Sequence, residues 1–321
     1  MDKKWLTLRS SFSLNFASFM WNNSRFWRWF GQILLILLVV ILAIFIWGNF
    51  TENLQQLGLR FGFDFLNLQA GFDIGEKIVS YKSTDSFAAA LFVGLINTLR
   101  VMAIGLISAT IVGIIVGVAR LSDNWLVRNL AMIYVEILRN TPLLLQLLFW
   151  YFAFFLKLPQ SGNPISLFGI ISLSNQGLLL PGKIALYPEF LTLILGLTLY
   201  TGAFIAEIIR GGIQAVPKGQ WEAGRSLGLK PFQLMRLVVF PQALRVIIPP
   251  LTSQYLNLAK NSSLAIAIGF PDIYAIASTT NNITGRAVEV ILIIMITYLT
   301  ISLSISLLLN FYNRRIQIKE R

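Results

Sequence analysis

Cysteine and histidine are both absent from the 321 residues of this chain. Without them there is no disulfide, no thiolate nucleophile, no haem attachment and no zinc site of the usual kinds. No metal or other cofactor is expected. A phosphate-binding Gly-x-x-x-x-Gly-Lys-Ser/Thr run is missing too, so the chain cannot hold ATP as a P-loop protein does. The pair Gly211-Gly212 lacks both the lysine and the strand-then-helix setting. Charge is scarce: 12% of residues are charged and 56% are hydrophobic, whereas a soluble domain carries about 25% charged residues. Carboxylates are not clustered in the apolar runs, so an intramembrane enzyme has little support and catalysis by this chain alone is not expected. What remains is a membrane protein.

The charge that is present is lopsided, +12 net from 26 Lys+Arg and 14 Asp+Glu. Basic residues gather at the ends of apolar segments, the pattern of positive-inside orientation rather than of nucleic-acid binding. Residues 1–28 read as a basic, aromatic cytoplasmic tail able to rest on membrane lipid. No small-residue cleavage site follows the first apolar run, so no removable signal is expected. Residues 29–48 carry no charge and are long enough to cross about 30 Å of hydrocarbon. A periplasmic loop is expected at 49–86, a core domain at 87–311 and a basic cytoplasmic tail at 312–321.

Within the core, a surface or tilted piece from Phe87 is expected to lead into a crossing from about Val101 to Ala119. Gly113 and Gly117 allow close helix packing there. The next crossing, 129–156, should bend near Thr141, because Pro142 removes a backbone donor and disfavours helix at its predecessor. Residues 157–189 read as an external loop. Crossings at 190–209, 246–270 and 287–311 follow, with an external loop at 271–286. The reading is an all-α bundle of six crossings, both termini cytoplasmic, in a bacterial inner membrane.

Ionisable groups at membrane depth cost roughly 2.5–3.5 kcal/mol unless paired or solvated. Lys260, followed by Asn261, Ser262 and Ser263, falls near mid-membrane, and an ammonium ringed by hydroxyl and amide groups suits a carboxylate. Three readings stay open for it: contact with substrate, a structural pair with Glu207, or a surface position if the helix breaks at Asn261. Glu136 and Arg139 stand three apart and can pair on one helical face, as can Glu207 and Arg210. Thr141, Pro142 and Gln146 would shape a cavity or gate at the bend, since a polar kink survives in lipid only when it faces protein or water.

A polar, basic stretch from Val216 to Pro231 interrupts the apolar pattern. Pro217 suits a helix start, and Gly228 suits the left-handed residue after a helix end. Pro231 can open a second short helix that Pro241 closes. The expectation is two short helices joined by a glycine turn, in a cytoplasmic loop at 213–245.

Within this loop Glu222-Ala223-Gly224, with Gly228 six residues after the glutamate, resembles the EAA loop of ABC importer permeases. One position departs from that pattern: Gly224 stands where the family usually has alanine, at about 1 kcal/mol of helix propensity. The run 206–229 resembles the polar amino-acid branch of the family, as do Glu136–Gln146 and Leu258–Leu264. Ala70–Glu76 is similar to the stretch ahead of the core in general L-amino-acid permeases. The resemblance extends from about Ala70 to the C-terminus. It implies a type I ABC importer fold and translocation of polar L-amino acids. ABC ATPase subunits would dock at Glu222, Ala223, Gly224 and Gly228, and Lys260–Ser263 would line the cavity. The implied partners also include a second permease subunit, read as a related chain in a heterodimer, and a periplasmic amino-acid-binding protein. The rival is an ATP-independent secondary carrier or channel for small anionic or zwitterionic solutes, with Lys260 and Arg139 as selectivity charges. One half of the chain does not repeat the other, which speaks against an inverted-repeat carrier.

Overall fold

The computed structural model describes residues 24–56, 61–167, 170–181 and 184–316. It divides into two compact units between Gly62 and Phe63. Most of the expected N-terminal tail, with Lys3, Lys4 and Arg9, and residues 317–321 lie outside the described residues. The described part of the first unit contains helix α1 (Ser24–Gln56). Within α1 the most apolar window of Trp27–Asn53 contains no buried residue. A helix apolar all round is one that lipid should cover.

In the second unit the residues ahead of the core are not a free loop. Phe65, Ile74 and Tyr81 are buried against Phe87 and Leu91 and against Ile273 and Ile276 further on. Helix α2 (Phe87–Ala119) then runs unbroken, its first turn capped by the Ser86 side chain accepting from the Ala89 N–H. At 33 residues it is about 50 Å long. The expected separate piece before Val101 is therefore absent. Asn97, Thr98 and Arg100, which suggested it, all find partners: Asn97 Nδ2 donates to the Glu76 and Pro271 carbonyls, Thr98 Oγ1 accepts from the Ile273 N–H, and Arg100 pairs with Glu76. Satisfied polar groups can stay in a buried helix.

Helix α3 (Trp125–Asn140) begins on the Asn124 side chain, which accepts from the Leu126 and Val127 N–H groups. It stops at Asn140, and Thr141 is extended. The chain then turns by 106° into α4 (Leu143–Leu148), a π turn (Phe149–Phe154) and a 3-10 turn (Phe155–Lys157). The bend falls where Pro142 placed it, but it is a break rather than a kink.

Residues expected to be an external loop contain an antiparallel meander, β1 (Ile165–Leu167), β2 (Ile171–Ser174), β3 (Gly177–Leu180) and β4 (Ile184–Leu186), paired in that order. Its signal was the alternation in Ile171-Ser-Leu-Ser174, the period of a half-buried strand. The chain is thus mostly helical with one small sheet.

Helix α5 (Pro188–Gln214) lies along α2. Glycines let the two approach: a Cβ on Gly113 would stand 2.4 Å from Ile205 Cγ2, and one on Gly117 would stand 2.8 Å from the Ala206 carbonyl oxygen. Next come α6 (Lys218–Ser226), α7 (Pro231–Leu234) and a π turn (Met235–Val239) that continues into α8 (Phe240–Asn261). Pro241 sits in the first turn of α8, so it opens this helix instead of closing the previous one. At Ser262 the winding tightens into a 3-10 segment, Ser262–Ile268. The stretch read as an external loop holds α9 (Ile273–Thr284), and α10 (Ala287–Ile316) ends the described chain. Among the described residues five helices are long and apolar enough to cross a membrane, six if the bent pair around Thr141 counts as one span.

Candidate functional site

The polar stretch folds as a compact hairpin at the C-terminal end of α5. Its turn is a Schellman motif: the Gly228 N–H donates to the Arg225 carbonyl and the Leu229 N–H to the Gly224 carbonyl, with Gly228 at φ 75°. Gly224 is buried, and a Cβ there would stand 2.3 Å from Leu234 Cδ1. The departure from alanine thus has a local cause, because α6 closes onto Leu234 of α7 through a position with no side chain. Gln242 Nε2 donates to Gln220 Oε1 at 3.2 Å and ties α6 to the start of α8.

The outer face of the hairpin is bare. Glu222 and Ala223 are exposed, and among the described residues Glu222 has no ion-pair partner. Leu227 and Phe232 are 81% and 73% exposed, unusual for large apolar side chains on a polar surface. Glu222 also lines a cleft of about 550 Å³, with Leu121, Asp123, Gln214, Trp221 and Arg225 among its other walls.

One carboxylate anchors this end of the bundle. Glu207 on α5 pairs with Arg120 at the end of α2 and with Arg210 one turn on, and Arg139 of α3 lies 4.0 Å away. Arg139 also stacks over the Phe204 ring at 5.1 Å. The expected Glu136–Arg139 pair does not form: Arg139 turns to Glu207, while Glu136 accepts from Asn140 Nδ2 at 3.2 Å. Sequence spacing could not reveal Arg120 as the third cation, because it comes from another helix 87 residues away.

At the break, Gln146 is buried and donates to the Leu138 carbonyl, the Thr141 carbonyl and Thr141 Oγ1. It fills the gap in the backbone ladder that Pro142 opens, so its amide nitrogen is occupied within the chain, while its buried Oε1 accepts from no described residue. Thr141 Oγ1 in turn donates to the Ile137 carbonyl at 2.9 Å.

Lys260 lies in the last turn of α8 and is exposed. Among the described residues no carboxylate lies within ion-pair distance of it, so the alternative of a pair with Glu207 is not realised. Asn261 ends the α-helical winding, and Ser262 and Ser263 donate back to the Ala259 and Lys260 carbonyls.

The opposite end of the bundle holds a pair that spacing did not suggest. Arg100 Nη1 sits 2.7 Å from Glu76 Oε1, and the guanidinium lies 3.8 Å from the centre of the Phe190 ring. Burial pushes the Glu76 carboxyl up to about 7 against the pull of Arg100, with Glu189 adding to the rise. Burial lifts Asp272, the cap of α9, to about 7 as well, against the hydrogen bond from the Ala275 N–H.

Known proteins share this architecture. Residues 109–318 match the family described as binding-protein-dependent transport system inner membrane component. YhdX of Escherichia coli (strain K12), which carries the name of an amino-acid ABC transporter permease protein, is 41% identical over 96% of this chain and 98% of its own length. The general L-amino acid transport system permease protein AapQ of Rhizobium johnstonii is 39% identical over 89% of this chain and 92% of its own. A crystal structure of an amino acid ABC transporter with histidines superposes with a TM-score of 0.58 at 31% identity, covering 71% of this chain and 95% of that one. The helical core, its family match and its near full-length relatives agree: the chain belongs to the family of inner-membrane components of binding-protein-dependent transport systems.

Proposed function

We propose that this chain is the membrane-spanning subunit of an ATP-binding-cassette importer for polar L-amino acids in a bacterial inner membrane. Membership of a binding-protein-dependent family brings an external binding protein and a separate ATPase as general partners, and the chain itself is a transport subunit. The observation that carries the mechanism is the hairpin Lys218–Leu234, rigid within and bare without. Glu222, Ala223, Gly224 and Gly228 shape the knob that enters the ATPase, and Leu227 and Phe232 are covered there. The hairpin faces the cytoplasm, as do both termini.

Closure of the ATPases would bind one arrangement of the bundle better than another, and that difference shifts the population of permease conformations. Glu207, with Arg120, Arg139 and Arg210, holds α2, α3 and α5 together six residues or more before the knob, so force entering at Glu222 reaches the broken helix at Thr141–Pro142. Lys260, with Asn261, Ser262 and Ser263 beside it, offers an unpaired ammonium to the substrate carboxylate where α8 changes winding. A second, related permease chain completes the path opposite it, and the binding protein delivers the amino acid.

The test is uptake of radiolabelled polar amino acids into proteoliposomes holding the chain with its ATPase, its second permease and its binding protein. Uptake should require ATP and disappear with Glu222→Arg. Solute movement by the chain alone, with residues 218–228 removed and no ATPase present, would overturn the proposal.

A further inference from the structure

Helix α8 has two unlike faces. On the sides turned to the bundle, the Tyr255 hydroxyl pairs with that of Thr110 at 2.7 Å, and Thr252 Oγ1 donates to the Ile248 carbonyl at 3.0 Å. On the remaining face Ser253, Asn257 and Lys260 recur at i, i+4 and i+7, the spacing of one helical row, and all three are exposed. Among the described residues none of these three side chains makes a hydrogen bond or an ion pair.

The row lies at membrane depth. Leu258 meets α2 near its middle, where a Cβ on Gly105 would stand 3.6 Å from Leu258 Cδ1. A helix made to face lipid is instead apolar at every position, as α1 is from Ile33 to Trp47. Bare polar side chains at this depth, one of them charged, border protein or a water-filled cavity and not hydrocarbon. Two prolines say the same independently. Pro249 and Pro250 stand inside α8 and are exposed. Having no N–H, they leave the Arg245 and Val246 carbonyls without their intrahelical donors, and those acceptors need water.

The same geometry shows which neighbours of Lys260 are free to bind. Ser262 and Ser263 donate to the Ala259 and Lys260 carbonyls, and Ser262 is 1% exposed. Asn257 and Ser253, about 4.5 Å and about 10.5 Å from Lys260 along the helix axis, are uncommitted. From Phe240 to Ile268 there is no aspartate or glutamate.

We infer, on the strength of the transport function proposed above, that Ser253 and Asn257 extend the substrate path from Lys260. The row they form selects amino acids with acidic or amide side chains over basic ones. Lys260 takes the α-carboxylate, and the Asn257 amide, one turn away, meets the side chain. A carboxylate or amide finds N–H and O–H donors there. A cationic side chain finds an ammonium of its own sign and no acid on this helix to offset it. The α-ammonium is common to all amino acids and does not discriminate.

The chain has no cysteine, so Ser253→Cys gives it a sole thiol on the row. In nanodiscs holding the chain with its second permease and ATPase, and no binding protein, a hydrophilic methanethiosulfonate reagent should modify that thiol, read on this chain by mass spectrometry. L-Glutamine and L-glutamate should slow the modification at concentrations about tenfold or more below those of L-arginine and L-lysine, because like charges repel at a desolvated site. Adding Asn257→Leu should raise the half-protecting L-glutamine concentration about tenfold, as the loss of one polar contact does, and Asn257→Gln should recover part of it. Pro249→Cys, on the same face, is the second reporter should Ser253→Cys fail to fold.

A thiol that resists the reagent in the assembled complex means that the second permease packs on the row, and it overturns the selectivity. Protection that is absent, equal for L-glutamine and L-arginine, or stronger for L-arginine overturns it too, as does protection indifferent to Asn257→Leu. ATP-driven uptake by the wild-type complex with its binding protein, measured separately, decides the transport reading; normal uptake beside any of these results removes only the row.

Discussion

The two ends of the bundle are finished in opposite ways. Around Glu76 the chain covers itself: residues 63–86 bury Phe65, Ile74 and Tyr81 on the ends of α2 and α9 and bring Glu76 to Arg100. Around Glu222 the chain stops short, leaving Leu227 and Phe232 bare and Glu222 without an ion-pair partner among the described residues. Both segments are short and irregular. The difference lies in what closes them, the chain's own core at one end and, on the proposed function, a second protein at the other. Damage at the first end should therefore appear as lost stability, and damage at the second as lost transport.

The sharpest way to break that contrast is Arg100→Ala. It strands the Glu76 carboxylate in the core, where removing one partner of a buried pair costs about 3–5 kcal/mol. A large fall in the thermal midpoint in detergent is expected; a fall no greater than that of Lys77→Ala would mean that the pair is not what closes this end. The same carboxyl gives a pH signature. Its folded value, about 7, lies above its ordinary 4.5. Its contribution to stability is therefore fully present below about pH 4.5 and is lost as pH climbs through 7. Glu76→Gln should reduce the slope of the melting-temperature profile across that window, leaving the share that Asp272, also raised to about 7, contributes; an unchanged slope would exclude Glu76 as a source.

Smaller effects sharpen the picture. Gly117→Ala sets a methyl 2.8 Å from the Ala206 backbone oxygen, and overpacking of this kind costs about 1–3 kcal/mol. Chemical denaturation should register it, whereas wild-type stability would show that the α2–α5 seam is loose. Gly228→Ala forces a side chain into the left-handed region for about 1–2 kcal/mol. It should weaken co-purification of the ATPase before it unfolds the bundle, and undiminished co-purification would separate the turn from docking. Glu222→Arg should change stability by no more than about 0.5 kcal/mol, as exposed surface changes do. Uptake should nonetheless fail, and uptake at the wild-type rate would remove Glu222 from the docking surface.

Local chemistry was readable in the sequence; long-range pairing was not. Pro217, Gly228 and Pro231 marked the hairpin because proline and glycine act on their own backbone. Pro142 marked the break for the same reason. The size of that break was hidden, since it depends on Gln146 reaching back to Leu138. Arg139 was matched to Glu136, the nearest carboxylate in sequence, and went instead to a glutamate on another helix. Asn97 and Arg100 looked like reasons for a helix to leave the membrane, because their partners, Glu76 and Pro271, lie far off in the chain. The docking residues were proposed from a family resemblance, and the Lys260 path from that resemblance and from an ammonium set among hydroxyl and amide groups at membrane depth.

The seven residues from Ser262 to Ile268 are wound as a 3-10 helix directly after Lys260. Such a coil rises about 2.0 Å per residue against 1.5 Å in an α-helix. Relaxing all seven to the wider coil would draw Gly269 and the segment beyond it about 3.5 Å toward the lysine. One rod can thereby change length by more than the diameter of a water molecule without any hinge.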